Sequence, residues 1–496
     1  MRQIKTVSRK GQWYSFMKLS SLLLKEEIVQ LIGNDTEIRK ICYDSRKVKP
    51  GDVFVCIPGY SADGHEYAQK AEQAGAAAIV CEHDVPVSVP RAIVKNARRM
   101  LAYMAVCYYG RPSDKFNLIG VTGTNGKTST TYMLKSIFEE AGFKVGLIGT
   151  NQNMIGDKII HSDHTTPESL DLQELFAKMA KEKVDYVVME VSSHSLELDR
   201  VAFCNFKFAI FTNLTQDHLD FHGTMDHYVR AKAKLFQMCK VGIINEDDPH
   251  YDELMCGAGC SVIGYGIERG SDVKAKNIYM NHNGVSFECE LPIGDIKFTS
   301  PIPGRFTIYN MLGAIAACFY AGVNVRHIKE GLSQIEGVKG RIETVPTGRE
   351  FNIIIDYAHT PDGVYNIVST VREFAPGRVV TLFGCGGDRD RKKRPIMGKI
   401  AGELSDFLIV TSDNPRTENP SKIIEDIMSG VQETKCPYII IENRKDAIRY
   451  AIEHAQKDDT IILAGKGHET YQILNTGKIH FDEREVVRDI LNEQIS

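Results

Sequence analysis

The feature that most limits what this chain can fold into is residues 117–142, NLIGVTGTNGKTSTTYMLKSIFEEAG. Leu118, Ile119 and Val121 form a short apolar run broken at Gly120, Gly123 and Gly126, and Met133, Leu134, Ile137 and Phe138 then recur at helical spacing. A strand, a glycine loop and a helix in that order make a phosphate cradle. Backbone N–H groups of Gly123, Thr124, Asn125 and Gly126 face the anion, Lys127 adds a point charge, and the Thr128 hydroxyl offers a ligand to Mg²⁺. The glycines follow G-x-x-G-x-x-G-K-T; Val121 stands where the commoner G-x-x-x-x-G-K-[ST] pattern has glycine.

A phosphate loop of this kind sits in an α/β sheet, and the rest of the chain supplies the alternation. At 496 residues there is room for roughly three domains, and 43% hydrophobic with 25% charged residues is a soluble globular balance. Residues 17–112 alternate short strands and helices and read as a small α/β unit, with polar turns at Asp44-Ser45-Arg46 and Asp63-Gly64-His65-Glu66. Arg46 beside Ser45 is a pairing able to hold a diphosphate or a carboxylate. Residues 113–341 read as the doubly wound phosphate-loop domain, with residues 255–300 as an antiparallel addition, and residues 342–496 as a second, Rossmann-like α/β domain. Residues 1–16 are basic and precede a cleaner start at Met17, which predicts a disordered extension or an upstream start codon.

Several functions are disfavoured by composition. A net charge of −4 argues against a nucleic-acid surface, and no apolar run reaches membrane-spanning length, so neither nucleic acid nor membrane is expected as a partner. Twelve scattered cysteines, of which only Cys256 and Cys260 lie close together, fit a reducing cytoplasm rather than a disulfide framework.

In open α/β sheets ligands gather at the C-terminal strand ends. Glu190 and Ser192 follow the strand DYVVME, Thr212 and Asn213 follow FAIF, and His218 and His222 come next. A zinc pair at i, i+4 normally carries Glu after the first His, and Leu219 stands there; Glu190, Thr128 and His218 suit a hard metal such as Mg²⁺ better. Lys232 and Lys234 lie two apart on a helix, hence on different faces. Asn310 opens an apolar helix and Gly340-Arg341 closes the middle domain. The C-terminal strands end in loops bearing Asp356, Tyr357 and His359; Asp388, Arg389 and Asp390; Asp413, Asn414, Pro415 and Arg416; and Gly465 to Glu469.

Taken together, GVTGTNGKTST, MEVSSHSLELDRV, TNLTQDHLDFHGTM, YNMLGA, DYAHTPD, GCGGDRD and AGKGHE make the chain from Met17 onward resemble the Mur ligases, ATP-dependent peptide-bond-forming enzymes of peptidoglycan precursor synthesis. The loop variant with Val121 is that family's own form. Asp413-Asn414-Pro415-Arg416 is similar to the members that add 2,6-diaminopimelate. The resemblance implies a cytoplasmic monomer using ATP and Mg²⁺, with an acyl-phosphate intermediate. It implies Lys127, Lys232 and His218 as catalytic, with Thr128, Glu190, His218 and a carbamylated Lys232 holding metal and Lys234 the competing position. It assigns Asn310, Arg341, Asp356 and His359 to the nucleotide. It places UDP-N-acetylmuramoyl-L-Ala-D-Glu against Ser45, Thr165, Thr166, Ser192 and Arg200. His164 and Leu198 depart from Asn and Gln found in some members.

The amino-acid assignment also has a physical basis. The far end of meso-diaminopimelate carries a carboxylate and an ammonium. Arg416 can grip the first bidentately with Arg389 assisting, and Glu469 can accept the second, beside Asp413, Asn414, Pro415 and Gly465. L-Lysine would leave Arg416 unpaired. The alternatives are a lysine-adding ligase, a folylpolyglutamate synthase, and a nucleotide-binding switch without ligase activity.

Overall fold

A computed structural model describes residues 4–7, 13–59, 62–160, 165–269, 271–281, 284–335 and 337–493, with backbone only at 4–7, 13–16 and 220. The fold is three-domain α/β, with one main sheet to each domain.

The first sheet has five strands in the order Ile28–Ile32, Arg91–Val94, Ala78–Cys81, Val53–Val55 and Ile41–Cys42, parallel except at the first pairing. Helix Ala97–Tyr108 covers it; Asn96 caps this helix by accepting from Arg99 N, and Met100, Leu101, Met104 and Ala105 are buried. The chain before Met17, expected to be a disordered extension, has strand Ile4–Val7 paired antiparallel with Trp13–Lys18, whose Met17 and Lys18 pair with Ile38 and Glu37.

The central sheet has eleven strands. Strand Asn117–Thr122 lies between Tyr186–Glu190 and Phe206–Phe211, all parallel. Strands from Val145–Ile148 across to Val273–Asn281 continue the parallel array, and the near-continuous apolar sequences of Val145–Ile148, Tyr186–Glu190 and Phe206–Phe211 reflect burial on both faces. The chain leaves Asn117–Thr122 for one side of the sheet and later returns to the other at Phe206–Phe211. That reversal opens a crevice over the glycine loop. The antiparallel addition expected within 255–300 is present as Val273–Asn281, Gly284–Leu291 and Gly294–Ser300.

The third sheet has six strands, in the order Glu343–Val345, Asn352–Asp356, Thr460–Ala464, Val379–Phe383, Phe407–Val410 and Tyr438–Ile440. All pair in parallel except Glu343–Val345, a strand absent from the sequence expectation. A hairpin, Tyr471–Leu474 with Gly477–His480, lies outside this sheet.

Candidate active site

A cleft of about 570 Å³ opens between the central and C-terminal domains, within the ordinary range for small-molecule sites. Its floor is the glycine loop. Gly126 caps helix Lys127–Glu140 at φ 84°, and a Cβ placed there would lie 2.3 Å from Asn310 Oδ1. A Cβ at Gly123 would lie 1.9 Å from Thr212 Oγ1, so neither position accepts a side chain. The end of the neighbouring strand holds the loop in shape: Asn125 N donates to Asn213 Oδ1 at 2.9 Å and Thr212 Oγ1 donates to Asn125 O at 2.6 Å. Lys127 Nζ donates to the carbonyls of Gly123 and Thr124 at 2.9 and 2.8 Å. Burial, with Arg341 adding to it, lowers the Lys127 pKa.

Oxygen ligands gather at the helix start. Thr128 Oγ1 donates to Glu190 Oε1 at 3.0 Å; Thr150 N reaches the same oxygen at 2.9 Å, and Thr150 Oγ1 donates to Oε2 at 3.0 Å. Glu190, at the end of Tyr186–Glu190, is 1% exposed, and a Cβ at Gly149 would lie 2.3 Å from its Oε1. This is a hard, oxygen-rich donor set of the kind Mg²⁺ takes. His218 lines the same cleft from the left-handed position that caps Leu219–His222. His222 is instead buried and shares a hydrogen bond with Ser193 Oγ at 2.9 Å.

The two lysines differ sharply. Lys232 is 1% exposed, donates from Nζ to Gly123 O at 2.9 Å and lies 4.6 Å from the Tyr228 ring centroid. Burial, then the neighbouring Lys127, lowers its pKa well below the usual lysine value. Lys234 is only half-buried and pairs with Glu197 Oε2 at 2.7 Å.

The cleft lining also includes Asn310, beside Gly126, and Arg341, Asp356 and His359. Asn310 Nδ2 and Arg341 Nε are buried without a hydrogen-bond partner, two donors that a nucleotide in the cleft would satisfy. Asp356 spends its oxygens on Ile342 N and Ala358 N at 2.9 and 2.8 Å, and burial raises its pKa. The Arg341 guanidinium lies 5.1 Å from the Tyr357 ring centroid, and His359 Nδ1 is 2.8 Å from Tyr357 O. Asp362 ties the C-terminal side to the floor: its Oδ2 accepts from Asn125 Nδ2 at 2.6 Å and from Thr215 Oγ1 at 2.7 Å.

Thr165 and Ser192 line the cleft, and Thr166 Oγ1 supports them by donating to Glu190 O at 2.9 Å. Arg200 Nη1 donates to Thr166 O at 3.2 Å. Ser45 lies outside the lining, on the short helix Ser45–Lys47. Beside it Arg46, its side chain largely exposed, pairs with Asp44 at 2.9 Å. Leu198 caps helix Ser193–Glu197, and His164 falls outside the described residues.

The C-terminal loops form a second cluster. Arg416, at φ 54°, donates from Nη1 to Gly387 O at 2.7 Å, while Arg389 Nη1 donates to Asp388 O at 2.9 Å. Glu469 has partners within the cluster. Its Oε2 accepts from Lys466 Nζ at 3.2 Å and Asn414 Nδ2 at 2.9 Å, so its charge is partly compensated from within. Lys466 is fully buried and also reaches Asp413 Oδ1 at 3.2 Å and Asn414 Oδ1 at 3.0 Å. Gly465, at φ 117°, passes so close that a Cβ would lie 2.8 Å from Asp413 Oδ2. Pro415 carries the turn against Gly387, where a Cβ would meet its carbonyl oxygen at 2.0 Å.

Known proteins resemble this chain along almost its whole length. The chain is 51% identical over 484 residues to the UDP-N-acetylmuramoyl-L-alanyl-D-glutamate--2,6-diaminopimelate ligase of Clostridium botulinum, covering 96% of this chain and 100% of that one. The chain belongs to the Mur ligase family. Residues 37–106 of this Mur ligase match the family's catalytic domain, 121–318 its middle domain and 340–467 its glutamate ligase domain. A solved structure of a UDP-N-acetylmuramoyl-L-alanyl-D-glutamate--2,6-diaminopimelate ligase aligns with TM-score 0.69 at 31% identity, over 94% of this chain and 98% of that one. The MurF ligase of Thermotoga maritima, solved in complex with ADP, aligns with TM-score 0.60 at 18% identity over 92% and 97% of the two chains, a likeness of fold alone.

Three residues that hold candidate site side chains in place are not singled out in the sequence reading: Thr150, Asp362 and Lys466. Thr150 ends the run KVGLIGT, and a hydroxyl at a strand end beside the loop is a usable signal. Asp362 and Lys466 lie inside quoted motifs, but only the folded chain sets one against Asn125 and the other against Glu469.

Proposed function

We propose that this Mur ligase joins meso-2,6-diaminopimelate to the D-Glu of UDP-N-acetylmuramoyl-L-Ala-D-Glu at the expense of ATP, in the cytoplasm and as a monomer. The observation that carries the reading is the shared cleft. The phosphate loop, Glu190 and buried Lys232 line it together with Arg341 and Asp356, and Asp362 bonds to the loop from the C-terminal side. Residues 17–112 take the UDP-sugar, 113–341 the nucleotide and 342–496 the amino acid.

In this reading the substrate carboxylate oxygen bonds to the γ-phosphorus of ATP and the bond to ADP breaks. The amine nitrogen then attacks the acyl carbon, loses a proton, and phosphate leaves as the amide forms. Lys127 and the loop N–H groups face the oxygens on which charge accumulates. Asn310 Nδ2 and Arg341 Nε, buried without partners, donate to the nucleotide. Thr128, Glu190, His218 and a carbamylated Lys232 would hold Mg²⁺, which when bound neutralises charge on the transferring phosphoryl group. The lowered pKa of Lys232 favours this assignment over Lys234, because only a neutral amine adds to CO₂. Arg416 and Arg389 would grip the distal carboxylate of the amine. Glu469 would accept its ammonium with the oxygen not engaged by Lys466.

The test is phosphate release from ATP measured with each component withheld in turn. The proposal expects release only when UDP-dipeptide, diaminopimelate and Mg²⁺ are all present. Release that ignores the amine would point to a nucleotide switch.

A further inference from the structure

The helix that starts at the phosphate loop ends, about 20 Å away at 1.5 Å per residue, in a second group of metal-capable side chains. Glu140, the last residue of Lys127–Glu140, meets His327 and Glu330 of helix Val325–Ser333, all partly buried. One ligand atom from each lies within 4.8 Å of the other two. No other such trio of His, Cys, Asp or Glu occurs among the described residues.

Two observations distinguish this group from an ordinary charged surface. The first is His327 Nδ1, which is buried and makes no hydrogen bond. Its nearest carboxylate oxygen, Glu330 Oε2, is 3.9 Å away, too far for a hydrogen bond but suited to sharing a small cation. Arg326 pairs with the other oxygen, Oε1, at 2.8 Å, and Glu140 is in side-chain hydrogen-bond contact with the same carboxyl, so all three members of the trio converge on it. The second is the rigidity of the frame. A Cβ at Gly331 would lie 2.7 Å from Ile137 Cα, and Ser136 Oγ donates to Gly331 O at 2.7 Å, so the two helices meet backbone to backbone just before the trio. Ligands on two locked helices are held in place before any ion arrives.

We infer that Glu140, His327 and Glu330 form a binding site for a first-row divalent metal ion, clamping the far end of the phosphate-loop helix to helix Val325–Ser333. One imidazole nitrogen with two carboxylates is a set for Zn²⁺ or a neighbour in that row, whereas Mg²⁺ and Ca²⁺ prefer oxygen throughout. The ion balances two carboxylate charges, and water completes its shell. The site is separate from the catalytic cleft, so its occupancy bears on helix anchoring rather than on chemistry.

The test is equilibrium dialysis of the full chain against Zn²⁺ with Mg²⁺ in excess, on wild type, His327→Ala and Glu330→Gln, alongside thermal unfolding with and without Zn²⁺. Wild type is expected to hold one Zn²⁺ equivalent that both variants lack, and to gain a Zn²⁺-dependent rise in Tm that they do not. Turnover of the Zn²⁺-free proteins is expected to be alike, which also shows that the variants fold. If His327→Ala fails to fold, Glu330→Gln decides by the same readings. Equal Zn²⁺ counts and equal Tm responses in wild type and the folded variants would overturn the site.

Discussion

Lys232 Nζ donates to the carbonyl of Gly123 at 2.9 Å, joining a lysine to the glycine loop across 109 positions of sequence. The contact buries an amine beside Lys127, and both burial and the like charge drive it toward the neutral form. A neutral amine can bond to the carbon of CO₂ and lose a proton, which turns a cation into the anionic ligand a metal requires. Lys232→Ala is expected to lower kcat by about 10²-fold or more, with partial recovery in formate or chloride, and bicarbonate should raise wild-type activity. Lys234→Ala, which removes only a surface pair, should stay within about twofold. Turnover with and without bicarbonate, and intact mass for the added CO₂, check both.

Thr150 holds both oxygens of Glu190. Its side chain orients a proposed metal ligand without being one, so Thr150→Val should weaken Mg²⁺ activation by about 10-fold to 100-fold. Glu190→Gln should lose activity more deeply, with excess Mg²⁺ restoring the first variant and not the second. Mg²⁺ titration of phosphate release separates the two.

Asp362 accepts from Asn125 and Thr215 of the central domain and from Asn366 at 3.0 Å on its own helix. Charge-assisted hydrogen bonds of this kind contribute about 1.5–3 kcal/mol each when buried. Asp362→Ala should therefore loosen the C-terminal domain from the phosphate loop. Small-angle scattering should give a larger radius of gyration, and KM for ATP should rise.

Glu418 couples acid stability to the loops that carry Arg389 and Arg416. Its carboxylate accepts from Arg394 Nη2 at 2.8 Å and Nη1 at 3.0 Å, and that guanidinium draws its pKa from 4.5 down to about 2. A carboxylate depressed in the folded state adds stability above its unfolded value and loses it as pH falls through the folded one. Stability from this pair is thus complete above about pH 4.5 and fades toward pH 2. Denaturant unfolding across that window should show a shallower acid slope in Glu418→Gln than in wild type.

The strand, loop and helix at residues 117–142 were legible because glycine spacing and apolar period are local properties, and the parallel strands were legible as apolar runs. Strand Glu343–Val345 was not, because its short polar sequence becomes a strand only by pairing with Asn352–Asp356. Spacing put Lys232 and Lys234 on different faces, but only packing shows that the first is buried against Gly123 and the second paired with Glu197. The pairing of Glu469 with Lys466 was not legible, because a lysine three residues away in a turn gives no sign in sequence of folding back onto it.

The most direct measurement of the proposed reaction is kcat/KM for the two candidate amines, meso-diaminopimelate and L-lysine, with the UDP-dipeptide and ATP saturating. Arg416 and Arg389 facing a distal carboxylate predict a preference for diaminopimelate of about 10⁴-fold, reduced mainly through the diaminopimelate value in Arg416→Ala. Equal use of both amines, or a preference for lysine, would contradict the assignment.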